Sequence, residues 1–160
     1  MITIKKLITP EDISKFWEKL KIHQQQDVFK DLDAADQEYF SGPDYYDAIM
    51  NLHQNPLPGA YLLEFVFFYE EGTYIGFSMY KIYNLEDGKA FILEFGIDKP
   101  FRNRGVGRTV VQIFEAFLKS QGAAYFALNT SNENNLRFWQ RLGFVPDKED
   151  EWGSMIYVKK

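Results

Sequence analysis

Residues 94–108 gather the side chains and spacings most able to do chemistry: Glu94-Phe95-Gly96-Ile97-Asp98-Lys99-Pro100-Phe101-Arg102-Asn103-Arg104-Gly105-Val106-Gly107-Arg108. The stretch reads as the end of a strand, a loop with glycines at alternate positions, and the start of an amphipathic helix. Glycines there let the backbone turn tightly and bring several N–H groups to bear on one point. The helix N-terminus adds its own unpaired N–H groups and partial positive charge. Arg102, Arg104 and Arg108 supply cations around it, and no acid occurs in residues 99–108. This is the chemistry of a pyrophosphate cradle, although the same residues would also make a plain turn with solvated arginines. A dinucleotide fingerprint does not fit, because its third glycine position holds Val110 and the preceding strands read as antiparallel. A nucleotide-triphosphate loop does not fit either, since no Gly-Lys-Ser/Thr occurs.

The elements around this stretch follow from hydrophobic period and turn residues. Ile2 and Ile4 open a short first strand. Thr9-Pro10-Glu11-Asp12 starts a helix, with a Thr cap and Pro at the first helical position. Ile13, Phe16, Trp17 and Leu20 follow at helical spacing. A second helical patch begins near Ser41-Gly42-Pro43-Asp44 and carries Tyr45 and Ile49 on one face; residues 55–59 read as a loop. Residues 62–69, 74–83 and 90–97 read as three consecutive strands joined by turns at Gly72 and Gly88. Val106, Val110, Ile113, Phe114 and Phe117 then mark one buried helical face, closed by Gly122. A strand at 125–129, a helix at 132–142 ended by Gly143, and a last strand at 155–158 complete the chain. Consecutive strands predict an antiparallel meander, and the later strand–helix–strand predicts a parallel crossover. The expectation is α/β, with a mixed, largely antiparallel sheet of six to seven strands flanked by helices.

With 160 residues the chain suits one domain, residues 1–160, large enough to form a core without staples. Zero cysteines exclude disulfides, thiolate metal sites and a cysteine nucleophile. Two distant histidines, His23 and His53, suggest no metal. The net charge of −5 argues against nucleic acid or an anionic membrane as partner. That charge is uneven: residues 25–50 hold seven acids against one base, and residues 147–151, expected as a loop, hold four against one. The N-terminal residues lack an apolar export core, and no apolar run approaches the ~20 residues of a spanning helix, so a soluble cytoplasmic protein is expected.

The chain resembles the GNAT superfamily of acyl-CoA-dependent N-acetyltransferases. The resemblance rests on Arg102-x-x-Gly105-x-Gly107, which is similar to that family's pyrophosphate loop. It rests also on Asn132…Phe138-Trp139-Gln140-Arg141-Leu142-Gly143-Phe144, similar to its later helix and turn. It implies acetyl-CoA as co-substrate, with no metal. The implied cofactor contacts are Phe95, Gly96 and Ile97 on the strand; Arg102, Arg104, Gly105, Val106, Gly107 and Arg108 in the loop; then Asn132 and Trp139. Asn132 also suits a helix cap, and Trp139 suits packing against the CoA arm or the core. Glu94 is the implied catalytic base, against the plainer reading of a solvent-facing or ion-paired strand glutamate. Trp139 occupies the position where the family often has a tyrosine that protonates the leaving thiolate, and an indole N–H is no practical acid. That role therefore does not carry over, which leaves another of the ten tyrosines, water, or unassisted departure of the thiolate.

The resemblance places the acidic segment on the wall of the acceptor cleft. Asp31 and Asp44, interleaved with Tyr45 and Tyr46, suit a cationic amine through ion pairing and cation–π contact, though solvated helix and loop charge is the plainer reading of them. The expected activity is acetyl transfer to a primary amine, either a small cationic molecule or a basic peptide, by a monomer or homodimer. The alternative is a catalytically silent acyl-CoA-binding sensor on the same fold.

Overall fold

The computed structural model describes residues 1–29, 32–54, 63–102, 104–130 and 132–160. The 55–59 loop expected from sequence lies outside them. Strand β1 (Ile2–Lys6) leads into helix α1 (Pro10–His23), where the Thr9 hydroxyl accepts the Asp12 N–H at 3.2 Å, as the cap residues dictate. Helix α1 runs on into a π-helical turn, Gln24–Val28. The acidic segment holds two helices where sequence suggested one: α2 (Ala34–Ser41), capped by the Asp33 carboxylate on the Asp36 N–H at 2.8 Å, and α3 (Pro43–Gln54). Helix α2 buries no residue fully, so its apolar period is too weak to read.

Strands β2 (Leu63–Glu70), β3 (Thr73–Ile82) and β4 (Lys89–Ile97) form the expected meander. They are followed by helix α4 (Val106–Ser120), strand β5 (Tyr125–Leu128), helix α5 (Glu133–Arg141) and strands β6 (Val145–Glu149) and β7 (Met155–Lys159). Strand β6 corrects in part the sequence reading of the 147–151 acids as a loop: Asp147 and Glu149 lie in the strand, while Asp150 and Glu151 lie in the turn that follows. All five of its residues are exposed, so it lacks the alternation that betrays a strand. Among the described residues it is an edge strand, paired with β7 alone. The seven strands lie in the order β1-β2-β3-β4-β5-β7-β6, with β4 and β5 parallel and all other pairs antiparallel.

Helices cover both faces of the sheet, and the aromatic residues divide between them. On one face Phe114 of α4 and Trp139 of α5 pack with Phe68, Tyr80 and Phe126. On the other, Phe16 of α1 and Tyr45 of α3 pack with Phe65, Phe67, Phe77 and Met79. Strand β2 serves both layers by alternation, Val66 and Phe68 toward α4, Phe65 and Phe67 toward α1. Phe16 is fully buried, its ring 4.7 Å from that of Phe65 and 5.4 Å, edge-on, from that of Phe77. Its truncation to Ala opens a cavity in the layer that holds α1 and α3 to the sheet. Phe16→Ala is expected to cost about 3–5 kcal/mol, measured as a lower midpoint in urea unfolding at unchanged slope. A loss below about 1 kcal/mol would mean that this layer contributes little to the fold.

Candidate active site

The site starts from a register irregularity in β4. Met79 faces Glu94 and Tyr80 faces Ile92, so Leu93 is one residue more than β3 can match. Such a bulge resets which side chains face which way. Ala90 and Ile92 point into the α4 layer, and strict alternation would send Glu94 after them. With Leu93 inserted, Phe95 and Ile97 take the α4 side instead. Glu94 joins its partner Met79 on the side of α1 and α3.

The bulge coincides with a parting of strands. Pairing between β4 and β5 ends at Phe91 opposite Ala127. Among the described residues no strand pairs with the β5-facing edge of β4 over 92–97. A sheet edge of this kind offers free N–H and C=O groups to an extended ligand.

Glu94 sits partly buried at this parting. Its Oε1 accepts a hydrogen bond from the Tyr45 hydroxyl at 3.1 Å, and its own carbonyl accepts one from the Ser78 hydroxyl at 2.6 Å. Burial pushes its carboxyl up to about 7, against a smaller downward pull from the Tyr45 hydrogen bond. A carboxyl poised there exchanges a proton in the neutral range. Tyr45, an expected ring for the acceptor, is only 8% exposed, packed edge-on to Trp17, Tyr39 and Phe40. Burial, with Glu94 beside it, raises its hydroxyl far above the ordinary tyrosine value. Sequence periodicity put Tyr45 on the buried face of α3; nothing in the sequence linked its hydroxyl to Glu94.

Beyond β4 the chain makes a single 3-10 turn, Lys99–Phe101, and the glycine loop. The Asp98 N–H donates to the Ile75 carbonyl at 2.9 Å, and Arg102 Nε to the Ile97 carbonyl at 2.6 Å. Arg102 thus braces the loop against the end of β4. The Arg104 guanidinium lies over the Phe101 ring, 5.6 Å from its centre, and Arg108 is exposed on the first turn of α4.

The two glycines have different tasks. Gly105 caps α4 with φ +74°, a conformation that an L side chain resists, and no side-chain hydrogen bond caps this helix end. A Cβ on Gly107 would sit 3.1 Å from the Phe138 ring, so its bareness lets α4 and α5 approach. The uncapped N–H groups starting at Val106 and the flanking arginines fit an anionic group such as a pyrophosphate. Gly96 is constrained too: a Cβ there would meet Phe77 at 2.9 Å and His23 Nδ1 at 3.0 Å. That contact brings His23, at the end of α1, beside the strand, a proximity the sequence did not suggest.

Asn132 caps α5, its Oδ1 accepting the Asn135 N–H at 3.0 Å. Trp139 is 6% exposed, its ring 5.1 Å from Phe95 and 5.3 Å from Phe144, in the α4-side core. Asp31 lies outside the described residues. Asp44 is exposed on the first turn of α3, and Tyr46, 44% exposed, lies 4.8 Å from the Trp17 ring. Trp17 and Tyr46, with Phe40, Lys21 and Gln24, line a cavity of about 350 Å³ beside the α2–α3 corner. No carboxylate lines it among the described residues. No group of three or more acidic or histidine side chains among them is placed to hold a metal ion, and none of their helices is long and apolar enough to cross a membrane.

Comparison with solved structures places this architecture beside acetyltransferases. The chain aligns over its full length with the PaiA N-acetyltransferase of Thermoplasma acidophilum in complex with coenzyme A, covering 99% of that chain at 22% identity and a TM-score of 0.69. Ard1 from Thermoplasma volcanium matches at 23% identity and a TM-score of 0.58, over 98% of this chain and 94% of that one. An aminoglycoside acetyltransferase from an uncultured soil metagenomic sample, in complex with trehalose, matches at 18% identity and 0.61, over 93% and 91%. At these identities the likeness concerns the fold. No curated protein sequence matches the chain. The family model for GNAT acetyltransferases, however, matches residues 25–144, from the π-helical turn through the parted strands and the glycine loop to Phe144. The chain belongs to the GNAT acetyltransferase family.

Proposed function

We propose that this protein transfers an acetyl group from acetyl-CoA to a primary amine by direct attack in a ternary complex, with Glu94 as the base. The observation that carries the reading is a carboxyl poised near 7 where β4 and β5 part, on the strand that runs into an uncapped, arginine-flanked helix N-terminus. Acetyl-CoA supplies an activated acyl group on a thiol leaving group. The uncapped N–H groups from Val106 onward and the guanidinium groups of Arg104 and Arg108 hold its pyrophosphate. Arg102 keeps the loop in place through the Ile97 carbonyl. The open edge of residues 92–97 receives the extended arm, and backbone N–H groups near Gly96 and Ile97 polarise the thioester carbonyl.

An amine of pKa ~10.4 is protonated at pH 7, and holding it neutral costs about 4.6 kcal/mol. Glu94, ionised above about pH 7, takes that proton directly or through water. Neither Trp139, in the core, nor Tyr45, held far above its ordinary value, supplies an acid to the departing thiolate. A thiol of pKa ~8.5 leaves as its anion without one. The exposed carboxylates Glu38, Asp44 and Asp47 on α2 and α3 favour a cationic acceptor. The alternative reading on the same fold is a silent acyl-CoA-binding module, which thiol release separates from the enzyme.

Thiol release from acetyl-CoA, read against a panel of polyamines, aminoglycosides and basic peptides, is expected to exceed hydrolysis for at least one amine. Stabilisation by CoA with no amine-dependent release would leave the silent module. Millimolar CoA is expected to raise the melting temperature, by about 2.7 kcal/mol of stability at a hundredfold excess over Kd. An unchanged melting temperature removes the cradle assignment.

Glu94→Gln is expected to lower kcat/KM at pH 7 by about 100-fold or more, with partial recovery at alkaline pH as the amine loses its own proton. The wild-type rise through about pH 7 should vanish. An unaltered profile in the variant takes Glu94 out of the mechanism.

A further inference from the structure

We propose that Tyr45 is a positioning residue for Glu94: its hydroxyl fixes Oε1 of the carboxyl and leaves Oε2 as the oxygen that receives the proton. The inference rests on Glu94 acting as the base, and it adds how that base is held. The contact is a 3.1 Å hydrogen bond between residues 49 positions apart in the chain, joining α3 to β4. Tyr45 cannot easily withdraw. Its ring centre lies 5.0 Å from Phe40, 5.7 Å from Tyr39 and 6.2 Å from Trp17, and its neighbours on α3, Ile49 and Met50, are buried in the same layer. The hydroxyl is thus delivered by a packed helix, which fixes a carboxyl more firmly than a loop residue would.

The direction of the effect follows from the chemistry of the bond. A hydroxyl donor stabilises a carboxylate over the neutral acid, so Tyr45 opposes the burial that raises Glu94. The donor itself stays protonated, since burial and the adjacent carboxylate both resist its ionisation. Other groups face Glu94 from the described elements packed against it. From β3 come apolar Met79, directly opposite, and Ser78, whose hydroxyl is occupied by the Glu94 carbonyl. From α1 comes His23, set against Gly96 and edge-on to Phe77. From α2 comes Tyr39, behind the Tyr45 ring. Of these groups, His23 and Tyr39 are the ionisable side chains besides Tyr45.

The test is a direct titration of the carboxyl in protein carrying ¹³C-labelled glutamate, with Glu94→Gln assigning the resonance. In the wild type the Glu94 signal should titrate near pH 7. In Tyr45→Phe, which keeps the packed ring, the midpoint should move up by about one pH unit. The rising limb of kcat/KM should move with it for any amine the enzyme accepts. An unmoved midpoint overturns the proposal, even if the variant is slower or less stable.

A second measurement needs no Tyr45 variant. With ¹³Cζ-labelled tyrosine, one wild-type tyrosine signal should respond with the Glu94 midpoint and lose that response in Glu94→Gln. Absence of any such signal overturns the proposal. Failure of the amine panel bears on the enzyme reading alone, because both titrations are read without turnover.

Discussion

One surplus residue in β4 governs the geometry of the site. A strand has a side-chain period of two, so inserting Leu93 against β3 exchanges the faces of everything after it. Before the insertion, Ala90 and Ile92 belong to the α4 layer; after it, the odd-numbered Phe95 and Ile97 do. Glu94 is thereby turned from the α4 layer to the α1 and α3 side and set against Tyr45. The same bulge strengthens the local twist of the strand. A four-residue β5, bonded on its far side to β7, does not follow it beyond Phe91. The carboxyl thus lies on the bulge side of β4, three residues beyond the last pair with β5.

The two aromatic layers make that arrangement rigid. Each face of the sheet carries its own set of rings, and the meander strands feed both. On the α4 side, Phe95 meets Trp139, Phe138 and Phe114, so the strand next to the open edge is backed by packed rings. Gly107 contributes to the same wall by what it lacks, because a Cβ there would press on the Phe138 ring at 3.1 Å and make it give way. A glycine read from sequence as a backbone contact is here also a packing requirement. Gly105 remains the residue whose left-handed conformation starts the helix. The alternating glycines thus answer two demands, one of torsion and one of volume.

Those differences mark what was legible in the sequence. The loop, the start of α4 and the Asn132 cap were readable because each depends on local chemistry: glycine torsion, helix-end N–H groups, a side-chain acceptor three residues from its donor. The antiparallel meander was readable from consecutive apolar runs, with ends displaced by about a residue. Strand β6 was hidden because a strand exposed on all its residues has no alternation, and its acids looked like loop composition. Helix α2 was hidden for the related reason that it buries no residue. Neither the bulge nor the Tyr45–Glu94 bond has a local signature. Register is a property of two strands, and the hydrogen bond joins residues brought together only by the α1–α3 layer. Asp31 was singled out on its charge and on the place the family resemblance gives its segment, and it lies outside the described residues.

The net charge of −5 is best understood through α3, where two opposite demands meet in one helix. Its exposed side carries Asp44 and Asp47 within the acidic segment, while its buried side carries Tyr45, Ile49 and Met50. Had the acids fallen on the buried side, each would have needed a partner or lost its charge. As arranged, they are screened by solvent, and the helix reaches the sheet through a neutral hydroxyl. A lysine or arginine in place of Tyr45 would hold Glu94 ionised at the expense of its proton exchange in the neutral range. An apolar residue would leave the carboxyl to burial alone, which favours its protonated form. A tyrosine between these limits supplies a donor without a charge, and so leaves the carboxyl free to change protonation state close to neutrality.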